Sequence, residues 1–100
     1  YMGIGMARKR LTDKILEKID KEIESDEKGS YIIVYDFGNR RYNPKEFYYA
    51  IMDLINNGHK IVRIQKSVYL TDSLRTALAI KELAKHYGAE VRVFKVEKEV

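Results

Sequence analysis

Leu11, Ile15, Ile19 and Ile23 recur every four positions in an otherwise charged stretch, and this spacing predicts an amphipathic helix over about Thr12 to Glu27. An isolated helix of that length is marginal in water, so its narrow apolar stripe must dock. Lys28-Gly29-Ser30 is expected to end it. The next run, Tyr31 to Tyr35, is dense in β-branched and aromatic residues and predicts a central strand. Alternation puts Ile32 and Val34 on one face and Tyr31, Ile33, Tyr35 and Phe37 on the other. Both faces are apolar, the pattern of a sheet covered on both sides.

Asn43-Pro44-Lys45-Glu46 combines a capping residue, a proline suited to the first turn and a glutamate three positions after the cap, predicting a helix from Pro44 to Asn56. Phe47, Ile51, Leu54 and Ile55 form its expected buried face, and Asn57-Gly58 its C-terminal turn. From Lys60 to Leu70 the pattern is β-type, interrupted at Lys66 and Ser67, which predicts two short strands joined by a tight turn or bulge. Thr71-Asp72-Ser73 caps a further helix with Leu74, Ala77, Leu78, Ala84 and Tyr87 facing inward, and Gly88 stops it. The last strand covers Glu90 to Val96.

The order βαββαβ predicts an α+β, ferredoxin-like domain over residues 31–100, with two helices on one face of a four-stranded antiparallel sheet. Residues 1–30 form a tail and an additional N-terminal helix. Two helices cover one sheet face, so the other calls for the N-terminal helix, a second subunit or a flat ligand such as nucleic acid. A core of roughly 70 residues is small, which favours extra burial and a homodimer.

With 45% hydrophobic and 34% charged residues, the chain is neither disordered nor membrane-like, and no apolar run of spanning length or secretory type occurs. A cytoplasmic protein is expected. The absence of cysteine excludes disulfides, thiolate metal sites and cysteine nucleophiles. A single glutamine beside abundant Lys, Glu and Ile is the usage of a thermophile. Residues 1–30 carry seven basic and seven acidic side chains, so the whole net charge of +4 lies in residues 31–100. That basic excess favours a nucleic-acid partner.

Candidate chemistry begins at Asp36, a carboxylate at the end of the first strand. Such a group either binds a divalent cation or accepts hydrogen bonds from the turn behind it, and both readings stand at this level. Arg40, Arg41, Arg63 and Lys66 are candidate phosphate contacts, with Lys60, Arg75 and Arg92 as possible extensions of the basic surface. The eight tyrosines suggest stacking on bases, although Tyr48, Tyr49 and Tyr87 fall on helices and Tyr69 reads as a packing residue. His59 and His86 have no partner at zinc-ligand spacing, and no glycine-rich phosphate loop is present.

Two segments carry a family resemblance. YIIVYDF (Tyr31 to Phe37) and RIQKSVYL (Arg63 to Leu70) resemble the opening strand and the downstream segment of the CRISPR-associated Cas-two family and its VapD-like relatives. The match covers about residues 31–96. The resemblance implies a ferredoxin-like homodimer that either scaffolds DNA or RNA, with the CRISPR integrase as partner, or acts as a Mg²⁺-dependent endonuclease. In the nuclease case, paired Asp36 carboxylates from two subunits would be catalytic and would hold the metal. A protein-assembly module without nucleic-acid chemistry is the third reading. The chain departs from the family pattern in two places: Gly38-Asn39-Arg40-Arg41 stands where the family often has an acidic pair, and a helix precedes the first strand.

Overall fold

The computed structural model describes residues 10–38 and 44–98. Three helices, α1 (Leu11–Glu22), α2 (Lys45–Asn56) and α3 (Leu74–His86), accompany four strands, β1 (Lys28–Asp36), β2 (Ile61–Gln65), β3 (Val68–Ser73) and β4 (Glu90–Val96). The strands form one antiparallel sheet in the order β2-β3-β1-β4, so β1 is central and β2 and β4 are edges. The architecture is α+β.

One sheet face carries the core. Tyr31, Ile33, Tyr35 and Phe37 are buried beneath α2 and α3, as the alternation predicts, together with Tyr69 of β3. Tyr35 stacks on Tyr69 at 5.6 Å between ring centroids and lies 5.0 Å from the ring of Phe47. Burial pushes the Tyr35 phenol well above its ordinary pKa and raises that of Tyr69 as well.

On α2, Phe47, Ile51 and Leu54 are buried, but Ile55 is not and stays on the exposed side with Tyr49 and Met52. Each residue advances about 100° around a helix, so Ile55 turns away from the line that Phe47, Ile51 and Leu54 share. Pro44 stands in the capping position with extended geometry instead of opening the helix, and no side-chain cap is made there. Asn43 lies outside the described residues. On α3 the expected stripe is displaced. Thr76, Ala77, Ala79, Ile80, Leu83 and Ala84 are fully buried, while Leu74, Leu78 and Tyr87 are half-buried. The wide arc arises because α3 is packed on two sides, by the sheet and by α1.

α1 does not cover the open sheet face. It lies over α3 and α2, with Ile15 and Ile19 in the shared core. Polar contacts fix its position: Thr12 Oγ1 donates to Asp53 Oδ2 at 2.7 Å, Arg10 pairs with Asp53, and the Arg75 guanidinium grips both Asp20 oxygens at 2.7 and 3.1 Å. The helix ends at Glu22, five residues earlier than its charge pattern predicts, and Ile23 is already extended. Residues 23–27 are diverted to the start of α3. There the Leu74 N–H donates to the Glu27 carbonyl at 2.9 Å, and Asp26 Oδ1 accepts from the Arg75 N–H at 3.0 Å and the Ser73 hydroxyl at 2.9 Å. Ser73 caps as expected, accepting from the Thr76 N–H at 3.2 Å. β1 correspondingly starts at Lys28, which pairs with Ser73.

Burial raises the Asp26 carboxyl, but the Arg75 N–H, the Ser73 hydroxyl and the nearby Lys28 ammonium outweigh it and leave the pKa below the ordinary value. A depressed carboxylate contributes stability in full above its unfolded pKa of about 3.9 and loses it as pH falls through the lower folded value. Asp26→Ala is expected to cost about 1 to 2 kcal/mol at neutral pH, the scale of a lost helix cap. Thermal melts should show the gap between wild type and variant closing as the pH drops below about 4.

β2 and β3 meet at a two-residue turn, Lys66-Ser67, with a bulge between Arg63 and Gln65. Ser67 has φ 68°, a left-handed conformation that costs a non-glycine residue about 1 to 2 kcal/mol. Its carbonyl accepts from the Tyr35 N–H at 3.1 Å, which holds the turn against the end of β1. Ser67→Gly relieves that strain at some entropic cost, and a net gain of about 0.5 kcal/mol is expected in denaturant titration.

Candidate functional site

In an antiparallel pair, directly opposed residues project from the same face. The register therefore maps the open side of the sheet. Val62, Leu70, Ile32 and Phe94 form one row across all four strands. Beside it, Val68, Val34 and Arg92 form a second row, and Asp36 stands opposite Glu90 at the end. The apolar rows are bare: Val34 is 40% exposed, Phe94 50% and Val62 58%, with Ile64 at the β2 bulge 48% exposed. No described element packs on this face.

Asp36 occupies the predicted strand end. Its Oδ1 accepts from the Gly38 N–H at 2.7 Å, and Gly38 takes the left-handed φ of 74° that the turn requires. This is the turn-accepting role that the sequence allowed. Glu90, opposite it, supplies a second carboxylate that no local motif announces, because a pairing between β1 and β4 depends on register. Behind them a cleft of about 410 Å³ is shared by Lys81 and Lys85 of α3 and by Arg92 of β4. Only Arg92 of these was among the basic candidates.

The other expected contacts do not gather around Asp36. Arg63 is opposite Tyr69, so it projects from the helix-bearing side of edge strand β2. Lys66 is exposed in the turn next to β1, and Arg40 and Arg41 lie outside the described residues. Tyr31 and Tyr35 are buried under the helices and not placed for stacking on bases, and Tyr69 packs there as expected; Phe94 is the one described aromatic on the open face. His59 is half-buried, with Nδ1 at 2.6 Å from Thr76 Oγ1, and burial and the Arg75 charge lower its pKa. His86 packs edge-on against Tyr87 at 4.8 Å.

Mg²⁺ requires an oxygen-rich, near-octahedral shell. The chain offers Asp36 and Glu90 beside three cationic side chains, and no group of three or more ligating residues occurs among the described residues. Among the described residues, no helix is long and apolar enough to cross a membrane. No family model, curated protein or solved structure matches this chain.

Proposed function

We propose that the protein is a cytoplasmic, ferredoxin-like homodimer of Cas-two type that holds DNA or RNA without cutting it. The strand order, with α2 and α3 on one face, supports the ferredoxin-like reading, and the Tyr31 to Phe37 and Arg63 to Leu70 segments support the family reading. The observation that carries the proposal is the bare apolar face of the sheet. A nucleic-acid ligand stacked there would call for aromatics and cations. The rows instead present mainly aliphatic side chains and one phenylalanine, with Gln65 and Arg92 at the two ends of the second row, a surface that a second copy of the same face complements around a two-fold axis. With α1 lying over the helices, no described segment of the chain competes for that position.

The net charge of +4 supplies attraction for phosphate, and Asp36, engaged by its own turn and placed beside three cations, suits contact more than catalysis. Sedimentation equilibrium at micromolar concentration should report a dimer, and a monomer would sink the assembly reading. Incubation with Mg²⁺ is expected to leave RNA and DNA intact. Cleavage that disappears with chelator and with Asp36→Ala would replace this reading with the nuclease one, in which Asp36 residues of two subunits act together.

A further inference from the structure

Several cations on the helical side of the molecule are neutralised in place. Arg10, Lys18, Lys28, Arg75 and Lys95 each hold a carboxylate. Among the described residues Lys81, Lys85 and Arg92 hold none, and these three converge on the cleft at the β4 edge. In the polar cleft around His59, by contrast, Lys28 and Arg75 already hold the carboxylates of Asp26 and Asp20. Other unpaired cations, among them Lys14, Lys21 and Lys45, are spread over the surface, whereas these three share one cleft.

The arrangement favours a repeating anion over a compact one. Lys81 and Lys85 stand one helical turn apart, about 6 Å along the axis, a spacing comparable to that of successive phosphates on a single strand. Arg92 enters the same cleft from β4 with a planar fork suited to phosphate oxygens. Asp36 and Glu90 line it too, and they would repel a bare inorganic anion. A nucleotide strand also carries sugar hydroxyls and base amino groups, which donate to carboxylates.

We infer that this edge cleft binds the sugar-phosphate strand of a nucleic acid, with Lys81, Lys85 and Arg92 on phosphates and Asp36 and Glu90 accepting from hydroxyl or amino groups. The inference rests on the nucleic-acid reading above and places the contact beside the apolar rows, leaving those for the second copy. The test titrates labelled single-stranded RNA and labelled duplex DNA over a range of salt concentrations. It compares wild type with Lys81→Gln/Lys85→Gln/Arg92→Gln and with a charge-matched control at the exposed Lys14, Lys21 and Lys45, also changed to Gln. The cleft variant should lose at least about tenfold in affinity, and its logarithmic salt slope should become shallower by about 2 to 3, since each phosphate contact contributes nearly one unit. The control should lose markedly less on both measures. Equal losses in the two variants would overturn the cleft and leave the nucleic-acid reading intact, whereas a wild type that binds neither probe would overturn both. Inorganic phosphate that displaces the probe at micromolar concentration would overturn the part given to Asp36 and Glu90.

Discussion

If the open sheet face is the dimer interface proposed above, arginine in place of both Val34 and Phe94 is expected to hold the protein monomeric at concentrations where the wild type should sediment as a dimer. Both side chains project from the open face, Val34 from central β1 opposite Arg92 and Phe94 from edge strand β4 opposite Ile32. Within one subunit they are 40% and 50% exposed, so a longer polar side chain meets water there, and the fold should change by only about 0.5 kcal/mol. In a face-to-face dimer the same guanidinium groups would be desolvated between two largely aliphatic surfaces, beside Arg92 and with Asp36 already engaged by its own turn. Burying unpaired charge costs several kcal/mol, and each 1.4 kcal/mol is tenfold in affinity, so dimerisation should weaken by about a thousandfold or more. Sedimentation equilibrium reads the association, and the thermal melt, taken at a concentration where both proteins are monomeric, reads the fold. A variant that remains dimeric would place the interface elsewhere and leave the apolar rows without an assigned role.

Ile19→Ala should destabilise the fold by about 3 kcal/mol, within the range measured for removal of a buried aliphatic side chain. Ile19 is 1% exposed and belongs to the core that α1 shares with α2 and α3. The lost methylene contacts and the cavity left behind both count, because α1 is tied at Asp53, Glu82 and Arg75 and cannot simply slide inward. In a domain whose total stability is about 5 to 15 kcal/mol, such a loss lowers the melting temperature by roughly 15 °C. Denaturant titration should show the midpoint falling with little change in slope. Ile23→Ala, at a half-buried position just past the end of α1, is the comparison and should cost about 1 kcal/mol or less. Equal effects at the two positions would mean that α1 is not packed as an integral layer.

The sequence by itself determined what depends on neighbours a few residues apart. The alternation in Tyr31 to Phe37 placed Asp36 at a strand end and made both faces of β1 apolar. Ser73 capped α3, Lys66-Ser67 turned β2 into β3, and the final strand ran from Glu90 to Val96 as its pattern required. These features follow from side-chain direction, hydrogen bonding within one turn and backbone preference, all of which are local. Tertiary structure alone decided which carboxylate faces Asp36, because the pairing of Asp36 with Glu90 is a matter of register between strands remote in the chain. It also decided that α1 stops at Glu22, since Asp26 and Glu27 are drawn away to satisfy the first N–H groups of α3. The side on which α1 docks was equally closed to local reading: its stripe of Ile15 and Ile19 fits any apolar surface, and α3, with small residues at Ala77, Ala79 and Ala84, provided one. That choice left the second face of β1 bare. Asp36 thus owes its place to the chain's local pattern and its surroundings, Glu90, Lys81, Lys85 and Arg92, to the packing of distant segments.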